Sequence, residues 1–310
     1  MNAALDAIRL ELEPGNLLVL NLILALLMFG VALDLRLADF RAVLRHPRGP
    51  LAGIATQLLL LPAATFLLIQ LIDPIPSVKL GMMLVAACPG GNVSNFLVWL
   101  AQGNTALSVS MTALSSSVAV FSTPFNLALW ASLDPDTRGL LADIAVDAGD
   151  MFTTILLLLA IPLAAGMLIR SRYPRVSSHI RRPLRIFGGT VFLGFIVFAF
   201  YRGREDLTMA ILPVLGIVVI HNAMAIALGY GAARLAGLTP RDRRAVSIEV
   251  GVQNSGLGLA LVFNFFAGLG GTAMVVAWWG TWHLVGGFAI ASIWSWMAHR
   301  QAPQTAAAAD

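Results

Sequence analysis

The sequence predicts an all-α polytopic membrane protein of about nine transmembrane helices, built as an inverted repeat around two broken crossing helices. Three observations predict it. Of the 310 residues 58% are apolar and only 12% charged, with a mean hydropathy of +0.82, whereas a soluble domain carries about twice that charged fraction. The apolar residues are gathered into nine runs near the roughly 20 residues that a span needs. Two of those runs are interrupted in mid-length by proline, glycine and amide residues. The composition excludes a disordered chain, a nucleic-acid binder and an ordinary soluble enzyme. The pI near 10 comes from arginines in short loops between apolar runs. A single cysteine, Cys88, allows neither an internal disulfide nor a cysteine metal cage. Met1 to Glu13 lacks a cationic region followed by an apolar stretch, so no cleaved signal peptide is expected.

The runs are taken in order. The first, 16–34, gives way to DLRLADFRAVLRHPRG, and the second, 47–72, closes at IDPIPS. The third, 77–102, and fourth, 106–130, are joined by QGN, and SLDPDTR leads into the fifth, 140–169. RSRYPRVSSHIRRP is the longest linker, with Tyr173 to Arg185 dividing four spans from five. The sixth, 184–201, and seventh, 207–235, flank YRGRED, and GLTPRDRR precedes the eighth, 245–268. GLGG leads into the ninth, 273–298, and the small, polar tail 299–310 is expected to be disordered. The turns rest on Gly, Pro and Asp, as short connections should. One transmembrane domain, 1–310, is expected, with a first repeat over 16–130 and a second over 140–298.

Nine spans put the termini on opposite sides. The loops after the first, fifth and seventh spans, with Arg300, carry fifteen of the 20 cations, leaving Arg9, Lys79, Arg138, Arg202 and Arg204 for the other side. The positive-inside rule then makes the C-terminus cytoplasmic and the N-terminus external.

The third run passes Cys88-Pro89-Gly90-Gly91-Asn92-Val93-Ser94-Asn95, and the eighth passes Glu249-Val250-Gly251-Val252-Gln253-Asn254-Ser255-Gly256. Proline removes a backbone donor and glycine permits non-helical angles, so both stretches can unwind. Unwound backbone at membrane depth must line a polar cavity or be buried in protein. In the predicted topology the two breaks run in opposite directions, the pattern of inverted repeats with a binding site between them.

Glu249 is the one acidic residue well inside a predicted span, where a charge costs at least about 2.5 kcal/mol. No Lys or Arg lies at that depth. The compensation is a proton, a bound cation or a chain of hydrogen bonds. Ser94, Asn95, Ser108, Thr112, Gln253 and carbonyls freed by unwinding favour a cation, and hard oxygen donors suit an alkali ion. Ser108 and Thr112, four apart, share a helical face. Spacing does not separate sodium from a proton. Asp143, Asp147 and Asp150 read as a solvated face. His221 and Asn222 read as an inter-helix hydrogen bond, and Ser115, Ser116 and Ser117 as close packing. Trp278, Trp279, Trp282, Trp294 and Trp296 read as lipid or interface anchors.

CPGG-x-x-SN, ALSVSMT and E-x-G-x-Q-N-S-G occur in that order, together with HP at 46–47 and HN at 221–222. With these the chain, from about Leu17 to His299, resembles the bile acid:sodium symporter family. The resemblance implies a transporter, not an enzyme, of two five-helix units with panel and core domains, here lacking the first helix. It implies two sodium ions. One would be held by Ser94, Asn95, Ser108, Thr112 and Glu249. The other would be held by Gln57, Glu249, Gln253 and the carbonyls of Val250 and Val252. Asn92, Asn254 and His283 would approach the substrate. Asn92 stands where the family commonly has threonine, which puts bile acid itself in doubt as the substrate.

The function expected is sodium-coupled symport of an organic anion, bile-acid-like or a small carboxylate, by alternating access in the inner (plasma) membrane. The alternative is a proton-coupled or sodium-independent metabolite carrier of the same superfold, which would not need the full ligand set. An intramembrane enzyme using Glu249 and His283 lacks a nucleophile with a placed base, and a midplane acid between two asymmetric breaks speaks against a passive channel. Beyond the anion, sodium and the bilayer, nothing in the chain points to nucleic acid or to a protein partner.

Overall fold

The computed structural model of the chain describes residue 6 and residues 14–33, 47–144, 148–202 and 211–306. Among the described residues twelve helices form and no strand appears beyond one isolated bridge. They are α1 (Pro14–Ala32), α2 (Arg48–Ile72), α3 (Pro76–Ala87), α4 (Val93–Leu100), α5 (Thr105–Leu133) and α6 (Pro135–Ile144). α7 follows as Ala148–Ile155, Leu156–Ala160 and Ile161–Arg172. Then come α8 (Pro174–Arg202), α9 (Ile211–Leu235), α10 (Pro240–Gly251), α11 (Ser255–Phe265) and α12 (Gly270–Ala306). Five stretches are long and apolar enough to cross a membrane: Arg48–Ile72, Thr105–Leu133, Phe152–Arg172, Leu212–Leu235 and Gly270–Ala298.

Two further runs form half-helix pairs, and they share a layout. A left-handed residue ends the preceding helix, Asp73 (φ 40°) or Gly237 (φ 70°). Three residues on, Pro76 or Pro240 opens a helix of 12 residues, α3 or α10. A break follows, then α4 with 8 residues or α11 with 11. Each second half again ends at a left-handed residue, Gln102 (φ 54°) or Ala267 (φ 46°). Proline fits the opening because the first helical N–H has no partner to lose.

α2 and α7 each contain a π turn, Thr56–Leu60 and Leu156–Ala160, in which the N–H of Leu61 or Ile161 reaches five residues back. Pro62 and Pro162 follow at once. A proline ring clashes with the carbonyl four residues earlier, and widening the turn by one residue relieves that clash. Gln57 sits in the first of these turns. In the assembled bundle α10 packs on α9, α3 on α12, and α1 on α7 and α8 while also touching α11.

The structure departs from the sequence reading in four places. The expected linker Tyr173 to Arg185 is helical from Pro174 onward, because its Ser, Arg and His residues tolerate a helix that proline can open at its first turn. The unwound stretches are shorter than expected: Ser94 and Asn95 lie in the first turn of α4, and Glu249 and Val250 in the last turn of α10. Of the expected acidic face, Asp147 lies outside the described residues and Asp150 is exposed. Trp279 is no membrane anchor but fully buried, its ring 4.7 Å from that of His221. Finally, α12 runs on through Ala306 into the expected disordered tail, whose Ala and Gln are good helix formers. Residues 34–46, with Arg36, Arg41, Arg45 and His46, lie outside the described residues, as do Arg204, Glu205 and Asp206.

Candidate functional site

The two breaks meet. Gly90 and Gln253 form an antiparallel bridge, the Gly91 N–H donates to the Val252 carbonyl at 2.8 Å, and the Asn254 N–H donates to the Pro89 carbonyl at 2.8 Å. Backbone groups freed by unwinding one helix are therefore satisfied by the other, as burial at membrane depth demands. The last helical carbonyls find side chains: Thr123 Oγ1 donates to Ala87 at 2.9 Å and Asn222 Nδ2 to Gly251 at 2.7 Å. Ser115 Oγ accepts the Gly90 N–H at 3.3 Å. Only glycine fits this crossing. A Cβ on Gly90 would stand 2.5 Å from Glu249 Oε1, and one on Gly91 3.0 Å from the Gln253 carbonyl.

The Glu249 carboxylate is fully buried. Ser94 Oγ donates to its Oε2 at 2.5 Å and Ser108 Oγ at 2.7 Å, while Thr112 Oγ1 donates to Oε1. Thr112 Oγ1 also lies 3.5 Å from Asn95 Oδ1. All five side chains expected at the first sodium site thus converge on one point, drawn from α4, α5 and α10. No salt bridge to Glu249 occurs among the described residues.

Just beyond the end of α10, Gln57 Nε2 donates to Gln253 Oε1 at 2.9 Å, and Gln253 Nε2 donates to the Val250 carbonyl at 2.8 Å. The structure brings together Gln57, Val250 and Gln253 from the second expected set, and the Val252 carbonyl takes part in the bridge between breaks. Gln57 Oε1 is buried with no hydrogen-bond partner. An orphaned acceptor in this position costs about 1–3 kcal/mol unless a donor or cation meets it. An oxygen-only donor set around one carboxylate is chemically suited to a hard monovalent cation.

Beside the crossing lies a cavity of about 460 Å³, walled by both breaks, by Met28 of α1 and by Ala277 to Leu284 of α12. Asn92, Asn254 and His283 all line it, and no Lys, Arg, Asp or Glu among the described residues does. The N-termini of α4 and α11, at Val93 and Ser255, open onto it, and their partial positive charge favours an anion. Asn254 Oδ1 caps α11 by accepting the Leu257 N–H at 3.1 Å, and His283 Nδ1 is buried without a partner.

The inter-helix hydrogen bonds expected of His221 and Asn222 form: His221 Nε2 lies 2.7 Å from Thr65 Oγ1 of α2, and Asn222 caps the break after α10. Sequence reading missed Thr65 and Thr123, and it took Ser115 only for close packing where its hydroxyl meets the first break. It also missed Asn21 and Asn264, which join α1 to α11. None of these partners is close in sequence, and only the polar character of each inside an apolar run signalled a role.

The pattern that describes the Sodium Bile acid symporter family matches residues 21–211. An uncharacterized sodium-dependent transporter, YocS of Bacillus subtilis (strain 168), is 30% identical over 276 residues, 89% of this chain and 83% of that protein. The probable sodium/metabolite cotransporter BASS1, chloroplastic, of Arabidopsis thaliana is 30% identical over 281 residues, 90% of this chain and 67% of its own. The human ileal sodium/bile acid cotransporter is 28% identical over 245 residues, 79% of this chain and 68% of its own.

Proposed function

The chain belongs to the sodium bile acid symporter family, and from that premise we propose that it carries a small monovalent organic anion inward with two sodium ions by alternating access. It is a membrane transporter, not an enzyme. Sodium is cargo in this reading. Ser94, Asn95, Ser108, Thr112 and Glu249 would hold one ion, and Gln57, Glu249, Gln253 and the carbonyls of Val250 and Val252 the other. The observation that carries the reading is the buried Glu249 carboxylate ringed by hydroxyl oxygens, with the unpartnered Gln57 Oε1 nearby.

Two sodium ions against one glutamate leave a local charge of about +1, which together with the two helix N-termini favours an anion. Asn92, Asn254 and His283 would meet it in the adjoining cavity, where no arginine among the described residues stands to clamp a second charge. The ions need not touch the anion. By tying Ser94 and Asn95 to Glu249 and Gln253 they would fix the crossing before the substrate arrives, lowering the ordering cost of binding. The repeated layout of α3–α4 and α10–α11 supports an inverted repeat of nine spans with a core that rocks against a panel containing α1, and the arginine-rich sequence segments after the first, fifth and seventh runs support an external N-terminus.

A tenfold sodium gradient supplies about 1.4 kcal/mol per ion, and 100 mV adds about 2.3 kcal/mol for one net charge. The total of about 5 kcal/mol supports accumulation of several thousandfold. The test is thermal stability of the purified protein in sodium against potassium or choline, repeated with a panel of organic anions. The expected result is a higher Tm in sodium, raised further by one class of anion. No sodium effect, with stabilisation by an anion only at low pH, would overturn the reading in favour of a proton-coupled carrier.

A further inference from the structure

At the end of the bundle where α4 finishes and α10 begins, a separate cavity of about 590 Å³ is lined by residues that include Trp99, Gln102, Thr105, Arg241, Arg244 and Ala298. Neither arginine has an acidic partner within ion-pair distance among the described residues. Arg244 donates one guanidinium N–H to the Ala101 carbonyl at 2.9 Å, which fixes its direction and leaves its other donors over. Asp242, next in sequence, is turned elsewhere and held by Asn104 Nδ2 and Thr239 Oγ1, each at 2.7 Å. Thr105 and Pro240 are the first residues of α5 and α10, so two helix N-termini add partial positive charge to the same space.

Below the cavity an apolar track begins. Trp99, Phe96 and Val93 recur every three residues on one face of α4 and are 63%, 49% and 40% exposed. The Trp99 and Phe96 rings lie 5.7 Å apart, and Phe96 meets Phe288 of α12 at 6.0 Å. Just along α12 from Ala298, Arg300 covers the exposed Trp296 at 3.9 Å, the kind of pair found at headgroup level.

We propose that this cavity binds the phosphate of an anionic phospholipid between Arg241 and Arg244, with an acyl chain laid along Trp99, Phe96 and Phe288. The cavity supplies the cationic fork and the track supplies the apolar groove, and a free phosphate would use only the first. α4 carries Ser94 and Asn95 at its other end, so a lipid seated here braces the half-helix that the ion site depends on. In the orientation proposed above this is the cytoplasmic leaflet.

The experiment is a titration of delipidated full-length protein with dioleoyl phosphatidylglycerol, dioleoyl phosphatidylcholine or inorganic phosphate, read by native mass spectrometry and Tm. Phosphatidylglycerol is expected to form a discrete adduct and raise Tm by several degrees beyond phosphatidylcholine, with no shift from phosphate alone. Arg241→Gln, at an exposed side chain, is expected to weaken that adduct about fivefold, the effect of one cation at a membrane surface. Trp99→Ala is expected to weaken both lipids, and Arg244→Gln is secondary because it also releases the Ala101 carbonyl. Equal shifts from the two lipids, an unchanged adduct in Arg241→Gln, or a phosphate effect matching that of the lipid would each overturn the proposal.

Discussion

Asn21 and Asn264 exchange two amide hydrogen bonds, Asn264 Nδ2 to Asn21 Oδ1 at 2.8 Å and Asn21 Nδ2 to Asn264 Oδ1 at 3.0 Å, and so join α1 to α11. Asn264 spends its remaining donor on the Ala260 carbonyl at 2.8 Å. In an apolar setting a broken amide pair leaves both partners wanting, and interhelical bonds of this kind contribute roughly 0.6–1.7 kcal/mol. Asn21→Ala and Asn264→Ala are each expected to lower stability, and the double variant to lower it by about 1 kcal/mol less than their sum. A thermal or denaturant double-mutant cycle checks this, and strict additivity would mean that the pair is not coupled.

The orphaned Gln57 Oε1 makes a sharper test of the ion sites than Glu249 alone. If that oxygen awaits a cation, Gln57→Leu should change stability in choline by no more than about 1 kcal/mol, because one buried unsatisfied acceptor is gone while Gln253 Oε1 loses its donor. The same variant should lose at least about tenfold in sodium affinity, or about 1.4 kcal/mol. Glu249→Gln and Gln253→Ala should abolish the sodium-dependent rise in Tm. Full sodium dependence in all three would show that the ions bind elsewhere.

Gly90 separates the crossing geometry from the fold. A methyl group there would stand 2.5 Å from Glu249 Oε1, so Gly90→Ala must displace the carboxylate from its hydroxyl partners. Transport and the sodium response should both fall sharply in a protein that still purifies. Gly216→Ala, where a Cβ meets nothing within 4 Å, is the control. It should be neutral or stabilising by up to about 1 kcal/mol, as for a glycine inside a helix. Equal behaviour of the two variants would remove the steric argument.

What the sequence disclosed was local. Pro89-Gly90-Gly91 and Gly251 through Ser255 mark their breaks by residues that disfavour a helix, and a carboxylate in an apolar run identifies Glu249 without any neighbour. The pairing partners were not legible because α12 and its neighbours are apolar on faces turned to lipid and to protein alike. Periodicity then cannot say that Trp279 faces His221 while Trp296 faces outward. The same ambiguity hid Asn21, whose partner lies 243 residues away, and the capping of Gly251 by Asn222. Residues 174–185 misled for another reason: charge and proline at a span boundary resemble a loop, yet Pro174 sits in the first helical turn at no cost and the helix carries Pro183 inside it.

The ends of α2 and α5 meet in a charged cluster, and the lowered Asp134 carboxyl there is expected to contribute to the acid limit of stability. Lys79 Nζ lies 2.7 Å from Asp73 and Asp136 and 3.5 Å from the buried Asp134. Burial works against the Asp134 charge, but the Thr137 backbone N–H, the Gln70 amide and Lys79 outweigh it and hold the carboxyl below its ordinary value. A depressed carboxylate contributes stability that is fully present above the unfolded value of about 3.9 and is lost as pH falls through the folded value beneath it. Tm should therefore be insensitive to this group from neutrality down to about pH 4 and decline below that. Lys79→Met removes the counterion while burial stays, so protonation of Asp134 should begin at higher pH and the acid decline should move upward with it. Asp73 and Asp136, with side chains 78% and 52% exposed, contribute little to that movement because water screens them. Tm measured against pH for the parent and Lys79→Met decides the matter, and superimposable acid limbs would mean that Thr137 and Gln70 hold Asp134 without help from the lysine.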